Sequence, residues 1–259
     1  MKLKLKDIEF TYSSVPVLNK ISFEVQDTEF IGIIGPNGSG KSTLIKCIDQ
    51  ILKPQGGTIL LDGETINNIK NNDIAKAFAY VPQKTDTVFS LNVFDAILMG
   101  RTPHSGWRNN QYDLDMVEKV IKRMNLEDIA LRDIKELSGG QQQKVLIARA
   151  IAQQTKMLLL DEPVSNLDIR HQLEVMDILV ELVRDEKLSL IMVIHDLNLA
   201  SRFMNRIIMM KDGNIFAAGS SAEVFSETNI SQVYGVDVKI IEEEGFVHII
   251  PFRKAVCSL

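Results

Sequence analysis

Residues 35 to 42 read Gly35-Pro36-Asn37-Gly38-Ser39-Gly40-Lys41-Ser42, which fits the spacing G-x-x-x-x-G-K-[ST]. No other stretch constrains the fold as much, because this pattern carries meaning only between a buried strand and a helix. Both are predicted. Phe30-Ile31-Gly32-Ile33-Ile34 is an apolar run of strand length, and Thr43-Leu44-Ile45-Lys46-Cys47-Ile48 opens a helix. A strand, a glycine loop and a helix in succession aim backbone N–H groups and the positive end of a helix at one point, which is a cradle for phosphate. In such a cradle Lys41 reaches the β- and γ-phosphates, and the Ser42 hydroxyl sits on Mg²⁺.

The rest of the chain supplies the scaffold that this unit needs. Asp7-Ile8-Glu9-Phe10-Thr11-Tyr12 and Ile21-Ser22-Phe23-Glu24-Val25 alternate as strands, and Gly56–Gly63 is a short strand between glycine turns. From about 84 to 156 the pattern turns helical, with Leu114, Val117, Val120, Ile121 and Met124 on one face, and Val145, Leu146, Ala148 and Ile151 on a later one. After 156 strands and helices alternate: Met157–Leu160 and Leu188–Ile194 are buried strands, and Arg170–Asp185 and Leu197–Met204 are helical. Lys211-Asp212-Gly213-Asn214 joins two apolar runs as a hairpin turn. Unbroken apolar strands alternating with helices imply an α/β fold whose parallel sheet is covered on both faces.

Two further stretches carry chemistry. The strand Met157-Leu158-Leu159-Leu160 ends in Asp161-Glu162-Pro163, which places acids at the carboxyl edge of the sheet, where ligands bind in open α/β folds. Asp161 can there hold Mg²⁺ directly or through water, and Glu162 can orient or deprotonate an attacking water. Leu137-Ser138-Gly139-Gly140-Gln141 opens a helix with a serine and two glycines, a second anion cradle or simply a capped helix. One cradle already serves the nucleotide, so a second needs a reason.

The whole chain narrows the alternatives. Its 259 residues, 45% of them hydrophobic, suffice for a sizeable globular core, and the formal net charge of −5 gives no support for nucleic-acid binding. Cys47 and Cys257 make neither a disulfide framework nor a metal site; Cys47 falls on the helix after the glycine loop and reads as a core residue. No run approaches the roughly 18 apolar residues of a membrane span. Lys2, Lys4 and Lys6 alternate with apolar residues and read as the solvated face of an edge strand.

With these motifs in place the chain resembles, along its whole length, the ATP-binding subunit of an ABC transporter. The resemblance implies one domain over 1–259: a P-loop NTPase core with a mostly parallel sheet, an N-terminal antiparallel β subdomain, an inserted helical subdomain over about 84–156, and a C-terminal extension over about 220–259. It also explains the second cradle. In this family Ser138, Gly139, Gly140 and Gln141 touch the ATP held by the Gly35–Thr43 loop of a second copy of the chain. Tyr12 matches the aromatic residue that stacks on adenine. Gln83 matches the glutamine that meets Mg²⁺ or the water. Asp168, in Ser165-Asn166-Leu167-Asp168, matches the loop along the dimer interface, and His195 matches the histidine on the γ-phosphate. Lys41, Glu162, Gln83 and His195 are the implied catalytic set, and Ser42, Gln83 and Asp161 the implied Mg²⁺ set. Val164 stands where many relatives carry threonine or serine.

The resemblance further implies a homodimer at the cytoplasmic face of the membrane, peripheral to a permease dimer that an extracytoplasmic binding protein supplies with substrate. Val88, Phe89, Leu91, Val93 and Phe94 are either core residues or part of the surface that docks the permease. Leu98-Met99-Gly100-Arg101-Thr102-Pro103-His104 and Val233-Tyr234-Gly235-Val236-Asp237-Val238 look like segments of ATPases that serve iron-siderophore, haem and vitamin B12 importers. Import of an iron chelate is therefore expected, with cobalamin or haem next and molybdate or another oxyanion after them. From another class, an ABC ATPase of translation, repair or cluster assembly is disfavoured by the single motif set and the lack of a heptad arm. A non-hydrolysing nucleotide sensor is disfavoured by Glu162 and His195.

Overall fold

The computed structural model describes residues 1–83, 91–105, 110–243 and 245–254. The chain forms two compact units, Met1–Ile66 with Ile191–Leu259, and Asn67–Leu190. In chain order the first unit begins with β1 (Leu3–Tyr12), β2 (Val15–Val25), β3 (Phe30–Ile34), α1 (Lys41–Ile48), β4 (Gly56–Leu61) and β5 (Glu64–Thr65). The second holds α2 (Asn71–Ala77), β6 (Phe78–Val81), α3 (Val93–Leu98), α4 (Thr102–Ser105), α5 (Gln111–Arg123), α6 (Gly139–Ala152), β7 (Met157–Asp161) and α7 (Ile169–Asp185). β8 (Ser189–Val193) leads back to the first, which continues with α8 (Leu197–Phe203), β9 (Arg206–Lys211), β10 (Asn214–Gly219), α9 (Ser221–Val224), α10 (Glu227–Tyr234), β11 (Val236–Glu243) and β12 (Phe246–Lys254).

In the first unit four strands form an antiparallel sheet in the order β2-β1-β4-β5. Leu3 and Leu5 are buried, and then Ile8 and Phe10, so the inward parity changes within β1. The cause is a register shift after Leu5, where Asp7 takes φ 49°. An extra residue in one strand moves the side chains that follow to the opposite face. β1 lies between β2 and β4, so the lysine-bearing strand is central and not an edge; Lys4 pairs with Glu24 of β2. β3 runs parallel to β9, from Ile31 opposite Arg206 to Ile34 opposite Met209, and all its residues are buried. β9 turns through Asp212-Gly213 into β10, the hairpin read from the sequence. β11 and β12 form an antiparallel hairpin that the sequence reading had left without elements.

In the second unit β6 and β7 pair in parallel, Phe78 with Met157 through Val81 with Leu160, and β7 is buried throughout. This unit therefore reaches beyond the helical stretch expected at 84–156. On α5, Val117, Val120 and Ile121 face inward, and on α6, Val145, Ala148 and Ile151 do so, as their helical spacing predicts. Leu114 and Leu146 are only half-buried.

Arg101 holds the helical part together. Its guanidinium is 2% exposed and donates to Asp113 Oδ1 (2.9 Å), Ala152 O (2.7 Å) and Gln154 Oε1 (2.8 Å). Next to it, a Cβ on Gly100 would lie 2.2 Å from the Arg149 carbonyl. The Leu98–His104 motif is thus a close-packed clamp on α5 and α6, which only glycine and a long, charged, multi-donor side chain can make. Val93 is fully buried and Leu91 and Phe94 are half-buried, while Val88 and Phe89 lie outside the described residues. Among the described residues no helix is long and apolar enough to cross a membrane.

Candidate functional site

The glycine loop leaves β3 through Gly35 at φ 146°, a conformation in which a side chain is strained. A Cβ there would come within 2.2 Å of the Met210 carbonyl, and one on Gly40 (φ 99°) within 2.8 Å of Leu18 and the Val17 carbonyl. Both glycines are required because neighbouring backbone and side chains press against the loop. The Ser39 N–H donates to Pro36 O (3.3 Å) and closes the turn. Lys41 is 5% exposed; its Nζ donates to Gly35 O and to Pro36 O, both at 2.9 Å. The lysine therefore braces the loop from inside. α1 starts at Gly40 with no side-chain cap and no acid in its first turn. A helix start of this kind favours an anion through its dipole. Ser42 is half-buried and Thr43 buried on that first turn.

Two other predicted residues belong to the same unit. The Ile194 N–H donates to Ile33 O (3.1 Å), which sets exposed His195 beside the carboxyl end of β3, where the loop begins. Asp196 then caps α8 by accepting from the N–H groups of Asn198 (2.8 Å) and Leu199 (3.0 Å). Tyr12 ends β1 with 46% of its surface exposed, its ring edge-on to Phe10 at 4.8 Å. An exposed ring braced by a buried one is a suitable platform for a flat ligand.

The second unit gathers the remaining residues. Asp161 ends β7 and is 2% exposed. Glu162 follows at φ 54°, its carbonyl accepting from the Ser165 N–H (3.3 Å) and hydroxyl (3.0 Å). The β6–β7 register, Val81 opposite Leu160, brings Gln83 level with Glu162, and Gln83 Nε2 donates to Glu162 Oε2 at 2.6 Å. Strand pairing alone thus unites the glutamine and the carboxylate. Among the described residues no group of three or more His, Cys, Asp or Glu side chains could hold a metal by itself. A single carboxylate such as Asp161 suits Mg²⁺, which keeps several waters and takes phosphate oxygens as its other ligands.

Ser138 caps α6 in a reciprocal box: its hydroxyl accepts from the Gln141 N–H (3.3 Å), and Gln141 Oε1 accepts from the Ser138 N–H (3.0 Å). The hydroxyl proton and the N–H groups of Gly139 and Gly140 are not used by this box. A Cβ on Gly139 would meet nothing within 4 Å, so its surface is open; one on Gly140 would lie 3.1 Å from Leu167. These residues line a cleft of about 610 Å³ together with Asp168, Lys144 and His171. Asp168 caps α7 by accepting from the His171 N–H (2.9 Å), and its other oxygen meets His171 Nδ1 (2.8 Å). The His171 N–H first, and then its ring, hold the Asp168 carboxyl below its usual range.

Lys144 was not read from the sequence. It is 8% exposed, and its Nζ donates to Glu174 Oε2 of α7 at 3.0 Å, tying the helix behind Ser138 to the helix behind Asp168. The available signal was a lysine within an otherwise inward-facing stretch, Gln143 to Val145.

Comparison with known proteins adds to this geometry. Residues 18–165 match the family described as ABC transporter. The chain is 48% identical over 251 residues to an uncharacterized ABC transporter ATP-binding protein of Methanocaldococcus jannaschii, with 97% of this chain and 98% of that one covered. It is 35% identical over 243 residues to the iron(3+)-hydroxamate import ATP-binding protein of Bacillus subtilis, covering 93% and 90%. Among solved structures it superposes with a TM-score of 0.78 and 29% identity on an ATP-binding cassette in a dimeric post-hydrolysis state bound to ADP and Pi, covering 85% of this chain and 98% of that one.

Proposed function

The chain belongs to the ABC transporter family as an ATP-hydrolysing cassette, and from that premise we propose that it energises the import of an iron chelate of the siderophore type through a separate membrane permease. The hydrolytic half of this reading rests above all on the 2.6 Å bond between Gln83 and Glu162. It fixes a carboxylate beside an amide that can hold the same water, the arrangement a general base needs. Gly35–Thr43 cradle the phosphates, with Lys41 as the positive charge, and Tyr12 stacks on the adenine for about 1 kcal/mol. His195 holds the γ-phosphate. Mg²⁺, taken by Ser42 and Asp161 with Gln83 near it, would neutralise charge that builds up on the phosphates. Ser138, Gly139, Gly140 and Gln141, with Asp168 along the interface, serve the ATP of a second copy of the chain, so that two copies close on two nucleotides.

The import half rests on the likeness to the iron(3+)-hydroxamate import protein, which spans 93% of this chain. The implied setting is the cytoplasmic face of the membrane, with a permease dimer and an extracytoplasmic binding protein as partners. The test is uptake of radiolabelled iron(3+)-hydroxamate by cells whose only copy of this chain is wild type or Glu162→Gln. Uptake should fall to background in the variant. Normal iron uptake with cobalamin uptake lost would replace the iron reading by the cobalamin one.

A further inference from the structure

His195 is followed at once by α8, and what holds that helix bears on where the histidine points. On its N-terminal side the chain is fixed, because the Ile194 N–H donates to Ile33 O of β3. On its C-terminal side it depends on α8. This helix has seven residues, of which only Ala200 and Ser201 are buried. A helix so short has little stability of its own, so tertiary contacts set its position. Asp196 accepts from the N–H groups of Asn198 and Leu199, which joins the residue after His195 to the first turn of the helix. At the far end Met204 lies against β3, where a Cβ on Gly32 would come within 2.9 Å of Met204 Cγ.

The first turn of α8, the one nearest His195, is held from the C-terminal hairpin. Asn198 Oδ1 accepts from the Ile249 N–H (2.8 Å), and Asn198 Nδ2 donates to the Ile249 carbonyl (3.2 Å). Three residues along the same helix face, the Ser201 hydroxyl accepts from the Val247 N–H (3.2 Å). On its other edge β12 pairs with β11, Glu242 opposite Val247 and Ile240 opposite Ile249. A carboxamide carries the donor and the acceptor of a peptide group, so Asn198 does for Ile249 what a third strand would do. Ser201, Val247 and Ile249 are buried, so a bond lost here leaves a backbone group without water to replace its partner. The hairpin is itself anchored. Val238 of β11 is buried, Gly235 at φ 65° turns α10 into β11, and Lys211 Nζ at the end of β9 donates to Gln232 O of α10 (2.8 Å).

We propose that Asn198, supported by Ser201, is a positioning residue for His195: its amide clamps the first turn of α8 to the backbone of β12, and the C-terminal hairpin thereby sets the direction from which the imidazole reaches the γ-phosphate. The role requires no contact with nucleotide. Covering the edge of β12 would by itself call for no particular helix; here the bonds come from the helix that starts beside His195, three residues beyond it, in the turn that Asp196 caps. Groups that act on a reacting phosphate tolerate little displacement, and a misplacement of about 1 Å can cost up to about a hundredfold in rate. The inference rests on the reading of His195 as the histidine on the γ-phosphate.

Asn198→Ala in the full chain removes both amide bonds and leaves His195 and Asp196 in place. Steady-state kcat should fall by about three- to tenfold, the value of one ordinary hydrogen bond, with KM for Mg-ATP unchanged. In ¹H–¹³C NMR spectra without nucleotide, the His195 ring signal should shift or double, while those of His104 and His171, which belong to the other compact unit, stay in place. An unmoved His195 signal would overturn the proposal whatever happens to kcat. So would an unchanged kcat with the signal moved. Should Asn198→Ala fail to fold, Asn198→Asp, which keeps the acceptor for the Ile249 N–H and loses the donor, and Ser201→Ala are read in the same way. His195→Ala, measured alongside, identifies the ring signal and separates the two readings. If it hydrolyses ATP at the wild-type rate, the reading of His195 fails; if it loses turnover while Asn198→Ala keeps it, only the role of Asn198 fails.

Discussion

Glu162 adopts φ 54°, a left-handed conformation that costs a non-glycine residue about 1–3 kcal/mol when its surroundings impose it. Those surroundings are specific. The Ser165 N–H and hydroxyl hold its carbonyl, and Gln83 holds its carboxylate. The strain buys a carboxylate that leaves a buried strand and stops at its carboxyl edge, beside Asp161. Glu162→Gln keeps this geometry, since an amide oxygen still accepts from Gln83, but it removes the proposed base. Steady-state hydrolysis should fall by roughly 10²–10⁴-fold while calorimetric ATP affinity is retained. Near-normal turnover would exclude Glu162 as the base. At this scale the sequence was informative wherever a role follows from near neighbours. The Gly35–Ser42 loop was legible because its glycines, lysine and serine act through their own backbone. The bond from Gln83 to Glu162 spans 79 positions and was not read from the sequence, where Gln83 was expected at Mg²⁺ or the water through family likeness alone.

At the scale of elements, the Arg101–Asp113 pair shows what a helical subdomain needs besides an apolar stripe. Both side chains are almost fully buried, at 3% and 1% exposure. Burial pushes the Asp113 carboxyl up, but the Ser105 hydroxyl, the Asn110 N–H and Arg101 together bring it down to about 2. A carboxyl lowered from 3.8 to about 2 adds stability above its unfolded value, and that stability is lost as pH falls through the folded value. Arg101→Met should therefore destabilise the chain by about 3–5 kcal/mol at neutral pH, because it strands a buried charge. In denaturant titrations the gap between variant and wild type should narrow as pH falls from about 4 through about 2, as Asp113 of the wild type becomes protonated. A pH-independent gap would mean that lost packing dominates. The elements missed in the sequence have a common cause. On α2 only Ile74 is buried, so no stripe announces a helix, and in β11 and β12 the alternation is interrupted at Ile240-Ile241 and Pro251. Cys47, by contrast, lies where its helix predicts, buried on α1 with its thiol pushed up to about 12 by desolvation.

For the whole molecule, the proposed function calls for a second copy: the Ser138–Gln141 cradle has an open surface at Gly139 and its helix has no acid in the first turn. An uncompensated helix N-terminus attracts an anion. With Mg-ATP, the Glu162→Gln chain should double its mass in light scattering, whereas with Mg-ADP it should remain a monomer. A monomer under both conditions would remove the dimer from the proposal. The sequence by itself determined the phosphate loop, the acids ending β7, the capped start of α6 and the β9–β10 hairpin. Each of these is set by residues within a few positions of one another, where backbone geometry and capping act locally. Only the tertiary structure decided which distant groups meet: Gln83 with Glu162 through the β6–β7 register, Arg101 with Asp113 and Ala152, and Lys144 with Glu174. Those meetings follow from strand register and helix packing, which sum many weak burial terms along the chain and leave no pattern at the residues they bring together.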